Sequence, residues 1–126
     1  MTDRALLSRA IAARDKAYAP YSGFTVGAAL LCGDGTVYDG CNIENAAHTP
    51  TVCAERTAFF KAVSEGKRAF TAMAVAGGTA PCPPCGVCRQ VMAEFCDGDF
   101  AVILQGENGE IFRYTLDQLL PLRFEL

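Results

Sequence analysis

No apolar run in this 126-residue chain approaches the ~20 residues that a membrane-spanning helix needs, so no membrane partner is expected. The opening stretch, Met1 to Arg14, interleaves charges with alanine and leucine and lacks the apolar core and cleavage site of a signal peptide. A basic stripe is also missing. The formal charge is −3, which argues against the phosphate backbone of a nucleic acid as partner. Internal repeats, low-complexity tracts and linkers are absent, so one domain over residues 1–126 is expected. Seven cysteines cannot all pair with one another within the chain. That odd count points to a reduced, cytoplasmic protein whose thiols are metal ligands or small core residues. What is present is apolar: 51% of the residues are hydrophobic, and a chain of this size buries roughly two thirds of its unfolded surface.

The apolar residues fall into recognisable periods. Residues 2–18 predict a helix with Leu7, Ala10, Ile11, Arg14, Ala17 and Tyr18 on its recurring face, Thr2 as cap and Pro20 as stop. Residues 24–32 and 36–41 predict a hairpin about Gly33-Asp34-Gly35. A loop follows over 44–50. A second helix spans 51–65, burying Ala54, Ala58, Phe59, Ala62 and Val63 and ending at Gly66. A buried strand (69–76), a loop dense in glycine and proline (77–84) and a third helix (86–95) come next. Two strands, 100–105 and 110–114, meet at Asn108-Gly109, and a short last helix opens with the capping box Thr115-x-x-Gln118. The third and fourth strands flank a helix, so a parallel crossover is expected there. The expected fold is α/β: a three-layer α/β/α sandwich around a mixed, roughly five-stranded sheet.

Chemistry concentrates at Cys53-Ala54-Glu55 and Pro84-Cys85-Gly86-Val87-Cys88. The two segments fall at the starts of the second and third helices, where unsatisfied amides and the helix dipole favour thiolate. Three cysteines fill three corners of a tetrahedron, and a catalytic zinc keeps the fourth for water. Glu55 lies two residues from Cys53, close enough to exchange protons with such a water without binding the metal. Three thiolates outweigh one Zn²⁺ by a unit charge, and Arg56 is the residue expected to offset this by hydrogen bonding to ligand sulfurs. Spacing alone leaves the ligand set open. Cys82-x-x-Cys85 forms a second pair, so a closed four-cysteine structural site or a redox pair competes with open catalytic zinc.

With these residues in place, the chain closely resembles the cytidine deaminase family. The segment Tyr18-Ala19-Pro20-Tyr21-Ser22-Gly23-Phe24-Thr25-Val26-Gly27-Ala28-Ala29-Leu30 looks like the family's first-strand signature, and Asn42-Ile43-Glu44-Asn45-Ala46 like its nucleoside-binding segment. Cys53 to Ala58 and Pro84 to Gln90 look like its two zinc segments, in the same order. The resemblance implies one zinc per chain on Cys53, Cys85 and Cys88, with water in the fourth place. It implies that Glu55 takes a proton from that water, protonates ring nitrogen 3 and supplies the proton for departing ammonia, while oxygen attacks carbon 4. Asn42 and Glu44 are implied to bind ribose hydroxyls, Phe24 to pack on the pyrimidine and the Ala54 backbone to hydrogen-bond it. The length matches the short, homotetrameric branch, in which an aromatic matching Phe124 approaches a neighbouring subunit's site. The implied reaction converts cytidine, and 2′-deoxycytidine, to the uridine products in pyrimidine salvage.

Two stretches depart from the family pattern. His48-Thr49-Pro50 stands where an aromatic and small residues are usual, and Cys82-Pro83 adds a thiol that the pattern does not require. His48 reads as a solvated loop residue, and Cys32, Cys41 and Cys96 as small core residues. A zinc deaminase of another substrate (a nucleoside antibiotic, a free base or an RNA base) and a zinc-stabilised binding module without catalysis are the competing functions. Asn42 with Glu44 favours a nucleoside, and a binding module would have no use for Glu55.

Overall fold

Alternation along the central strands builds two separate cores on one sheet. The computed structural model describes every residue, Met1–Leu126. The strands β1 (Val26–Cys32), β2 (Val37–Cys41), β3 (Phe70–Gly77), β4 (Ala101–Gln105) and β5 (Ile111–Thr115) form a single five-stranded sheet in the order β2-β1-β3-β4-β5. The helices are α1 (Asp3–Ala13), α2 (Ala54–Ser64), α3 (Gly86–Phe95) and α4 (Leu116–Leu119). Only β3 and β4 are parallel, with α3 in the connection between them. Ala28 and Leu30 of β1, Met73 and Val75 of β3, and Val102 and Leu104 of β4 join Ala58 and Phe59 of α2, Met92 of α3 and Leu116 of α4. The residues between them, Ala29, Ala72, Ala74, Ala76, Ala101 and Ile103, face Leu6, Leu7 and Ala10 of α1. Side chains on a strand point alternately to opposite faces, so strands covered on both faces read as unbroken apolar runs. The result is the three-layer mixed α/β sandwich that the sequence pattern predicts.

The helix-rich side is anchored by Phe59. Its ring lies 5.2 Å from Phe70, 6.0 Å from Phe100 and 6.1 Å from Phe95, at spacings typical of packed aromatics. The other side is made largely of alanine, which lets α1 approach the sheet closely.

Several boundaries differ from the sequence expectation, each for a tertiary reason. Thr2 caps α1 by accepting a hydrogen bond from the Ala5 amide, as expected. The helix stops at Ala13, however, and one 3₁₀ turn, Arg14–Lys16, follows. Tyr18 is drawn out of the helix by a bridge to the chain near Ile43: its amide donates to the Asn42 carbonyl, and its carbonyl accepts from the Glu44 amide. The buried face of α1 is Leu6, Leu7, Ala10 and Ala13, whereas Ile11 and Tyr18 are exposed. The second helix begins at Ala54 because Val52 exchanges two backbone hydrogen bonds with Ile43, and Val63 is only half-buried. α3 has the expected ends, and the Thr115–Gln118 capping box is formed.

α2 lies directly on the edge strand β2. A methyl group at Gly40 would stand 2.3 Å from the Ala54 carbonyl oxygen and 2.6 Å from the Ala58 nitrogen. The Thr57 hydroxyl and the Lys61 ammonium donate to the β2 carbonyls of Cys41 and Asp39. These bonds give edge-strand carbonyls partners within the chain. Gly40→Ala must push α2 off the sheet, and overpacking of this kind costs about 2 kcal/mol. The expected result is a melting temperature lower by roughly 6 °C for a chain of this size, read by thermal denaturation.

Candidate metal centre and pocket

The starts of α2 and α3 meet on one side of the sheet. Cys53 is the residue that caps α2, one position earlier than the first helical turn in which the sequence pattern places it. Cys85 caps α3, and its Sγ accepts from the Cys88 amide at 3.5 Å. Both caps are extended in backbone, which turns their side chains off the helix axes toward each other. The Cys53 and Cys85 sulfurs are 3.9 Å apart and the Cys85 and Cys88 sulfurs 3.5 Å; all three lie within 4.8 Å of one another. Sulfurs bound at about 2.3 Å to a tetrahedral zinc stand roughly 3.8 Å apart, so the spacing fits one zinc per chain. Cys82 is not part of this group, which disposes of the four-cysteine alternative.

Charge supports the same fit. Arg56 extends from the first turn of α2 and donates from Nη2 to Cys53 Sγ at 3.4 Å, while its Nε is buried without a partner. No carboxylate pairs with this guanidinium, so thiolate sulfur is its counter-charge. Hydrogen bonding from the Cys88 thiol, then Arg56, lowers Cys53 to about 5. The reciprocal bond pushes the Cys88 thiol strongly upward. A divalent ion at this position would bind all three sulfurs as thiolates. All seven cysteines are free thiols, and burial raises Cys32, Cys82 and Cys96.

Glu55 follows Ala54 in the first turn of α2 and is the one charged residue buried in the protein, 5% exposed. Burial raises its carboxyl to about 7, the negative charge of Cys53 adding to the effect. It lies on the wall of a cavity of about 320 Å³ that opens beside the sulfurs. Phe24, Asn42, Glu44, Cys53, Ala54 and Cys85 line the same cavity, together with Ser22, Val26, Thr51, Val52, Cys82 and Pro83. Residues drawn from four separate stretches of sequence therefore share one pocket.

The polar residues of the pocket are held by the chain itself. Asn42 accepts from the Val26 amide at 2.8 Å and donates to the Phe24 carbonyl at 2.9 Å. Glu44 accepts from the amides of Tyr21 and Ser22 and, at 2.5 Å, from the Ser22 hydroxyl, which keeps its carboxyl below the usual carboxylate range. The Ser22 hydroxyl also accepts from the Phe24 amide at 3.0 Å. Ser22 is absent from the site expected from sequence; its link to Glu44 spans 22 positions, and no local spacing reveals it.

Phe124 is not in this pocket. It is 66% exposed on the C-terminal tail, where its carbonyl accepts from Gln90 Nε2 at 2.9 Å. His48 is on the exposed loop, with φ 64°, and is not among the sulfur ligands.

Residues 1–105 match a family described as the cytidine and deoxycytidylate deaminase zinc-binding region. A cytidine deaminase of Sporosarcina psychrophila is 57% identical over 120 residues, covering 94% of this chain and 88% of that protein. One from Halalkalibacterium halodurans is 54% identical over 125 residues, covering 98% and 95%. A crystal structure of cytidine deaminase from Burkholderia pseudomallei superposes with a TM-score of 0.93 at 49% identity, covering 98% of this chain and all of that one.

The geometry predicts which thiols retain metal. Alanine at Cys53, Cys85 or Cys88 should each abolish stoichiometric zinc, whereas Cys82→Ala should keep one zinc per chain. Metal analysis of the purified variants decides this. Zinc lost from Cys82→Ala but kept by Cys85→Ala would reverse the assignment.

Proposed function

The chain belongs to the cytidine deaminase family, and we propose from this membership that it hydrolyses cytidine to uridine and ammonia, with 2′-deoxycytidine as a second substrate. The observation that carries the proposal is a buried carboxyl, Glu55, placed between a three-sulfur zinc site and a pocket whose rim bears Asn42 and Glu44. Zinc on Cys53, Cys85 and Cys88 would supply the Lewis acidity that makes water a nucleophile at neutral pH.

The remaining work falls to the protein's own groups. Glu55, with its carboxyl raised to about 7, can both take and give a proton near neutrality. It accepts a proton from the attacking water, passes one to ring nitrogen 3, and delivers the proton that lets the amino group leave as ammonia from carbon 4. Water adds oxygen to the ring as nitrogen departs, so no oxidant or reductant is needed. The Ala54 backbone hydrogen-bonds the base at the start of α2. Phe24 stacks on the pyrimidine from the exposed side. Asn42 and Glu44 bind the ribose with the polar capacity left over from their bonds to the chain, and contacts to the 3′-hydroxyl serve cytidine and 2′-deoxycytidine alike. Arg56 stabilises the thiolate excess and binds no metal. A pocket of about 320 Å³ suits a single nucleoside. No helix is long and apolar enough to cross a membrane, and we place the enzyme in the cytoplasm, where thiol ligands stay reduced.

Assembly as a homotetramer is part of this proposal. Leu122, Phe124 and Leu126 are exposed on the C-terminal tail, and Phe60 of α2 and Val87 of α3 expose an apolar groove between their helices. Terminal residues of this kind gain order by docking. Phe124 set against a neighbouring subunit's pocket would exclude water from the reacting centre.

Incubating zinc-replete protein with cytidine should abolish the cytosine absorbance. Glu55→Gln should keep fold and zinc but lose at least ~10²-fold in turnover, because an amide cannot carry protons. Near-normal turnover with zinc intact would remove Glu55 from the chemistry. Deleting residues 122–126 should weaken substrate binding and shift the sedimentation of the tetramer while zinc is retained. A native monomer of full activity would refute the shared site.

A further inference from the structure

Phe24 stands just ahead of β1, where no strand ladder holds it. The β1–β3 ladder ends at the Val26–Gly77 pair, so Phe24 and Thr25 on one side and Gly78 on the other lie beyond its last bonds. Arg14 takes over there. From the 3₁₀ turn after α1, its Nε donates to the Thr25 carbonyl at 3.2 Å and its Nη1 to the Gly78 carbonyl at 3.3 Å; Nη2 reaches the Thr25 hydroxyl at 3.5 Å. It pairs with no carboxylate. One planar guanidinium thus ties the entry of β1 to the exit of β3, a geometry that the fixed fork of arginine suits and a single ammonium does not.

The ring itself rests on the backbone that Arg14 ties. A methyl group at residue 77 would stand 3.1 Å from two ring carbons of Phe24 and 3.0 Å from Cys82 Sγ, and one at residue 78 would stand 3.2 Å from a third ring carbon. Gly77 and Gly78 are therefore the seat of the ring, and their depth sets how far Phe24 projects into the pocket. The approach of Arg14 depends in turn on Gly27, where a methyl group would meet the Ala10 carbonyl oxygen at 1.9 Å and the Arg14 nitrogen at 2.8 Å. Arg14 lies outside all four segments that carry the family resemblance, and it does not line the pocket.

We propose that Arg14 is a positioning residue for the nucleoside: by clamping Thr25 to Gly78 it fixes the height of the Phe24 ring above the pocket, and so sets affinity for the pyrimidine. This rests on the deaminase reading. Arg14→Lys keeps the charge and the aliphatic stem but reaches one acceptor at a time. It should retain zinc, raise KM for cytidine about tenfold, the scale of one charge-assisted hydrogen bond, and leave kcat within about twofold. Uridine affinity, titrated calorimetrically on the zinc-loaded protein, should fall by the same factor. Combined with Phe24→Leu, the substitution should add little further loss, since both act through one ring. Arg14→Met extends the series where it folds. A lower melting temperature with unchanged KM and uridine affinity, or losses additive with those of Phe24→Leu, would overturn the proposal. Failure of the wild-type protein to deaminate cytidine or bind uridine would instead overturn the reading beneath it.

Discussion

Everything at the site depends on two helix starts being brought within a few ångströms of each other. The sulfurs of Cys53 and Cys85 belong to residues 32 positions apart, yet stand 3.9 Å from one another. That distance is held by the sheet. α2 is seated on β2 through Gly40 and on the core through Ala58 and Phe59, while α3 is carried by the crossover between the parallel strands β3 and β4. A shift of about an ångström in either helix would spoil a tetrahedral site, and losses on the order of a hundredfold follow misplacement of that size in catalytic centres. The close seating of α2 on β2 at Gly40 is thus a requirement of the chemistry as well as of stability.

Charge is arranged with the same economy. The site gathers three thiols, one carboxyl and one guanidinium, with Cys88 and Glu55 buried and the others partly open to solvent. Burying an unpaired charge is expensive, so each group needs a partner or a proton. Arg56 finds its counter-charge in Cys53, and Glu55, whose burial outweighs the nearby charge of Arg56, is pushed up to about 7. The burial that makes Glu55 costly to ionise is also what suits it to the acid and base work proposed for it near neutrality.

On the pocket's other wall, the backbone from Phe24 to Val26 is held by side chains rather than by strand pairing alone. Ser22, Asn42 and Arg14 supply donors and acceptors to its amides and carbonyls. Glu44 holds the preceding turn. Residues that line the pocket are thereby coupled to one another through the chain that presents them.

The order of elements, the hairpin at Gly33-Asp34-Gly35, the extent of α3 and the capping box at Thr115 were legible in the sequence because each rests on local spacing or local hydrogen bonding. That Cys53, Cys85 and Cys88 are candidate metal ligands, with Glu55 beside them, was legible too, through the helix starts and the resemblance to a family. Local patterns did not reveal where α1 ends and where α2 begins, since Tyr18 and Val52 exchange helical bonds for pairing with Ile43. Nor could spacing exclude Cys82, whose separation from Cys85 equals that between Cys85 and Cys88. Only the fold decides that Cys82 faces Phe24 and Gly77 rather than the other sulfurs. The reach of Ser22 to Glu44, the clamp of Arg14 on Gly78 and the separation of Phe124 from its own chain's pocket likewise belong to the tertiary structure. Sequence determines which donors, acceptors and thiols exist and which local elements carry them; which of them meet is decided by packing, because that depends on how the sheet and helices close on one another.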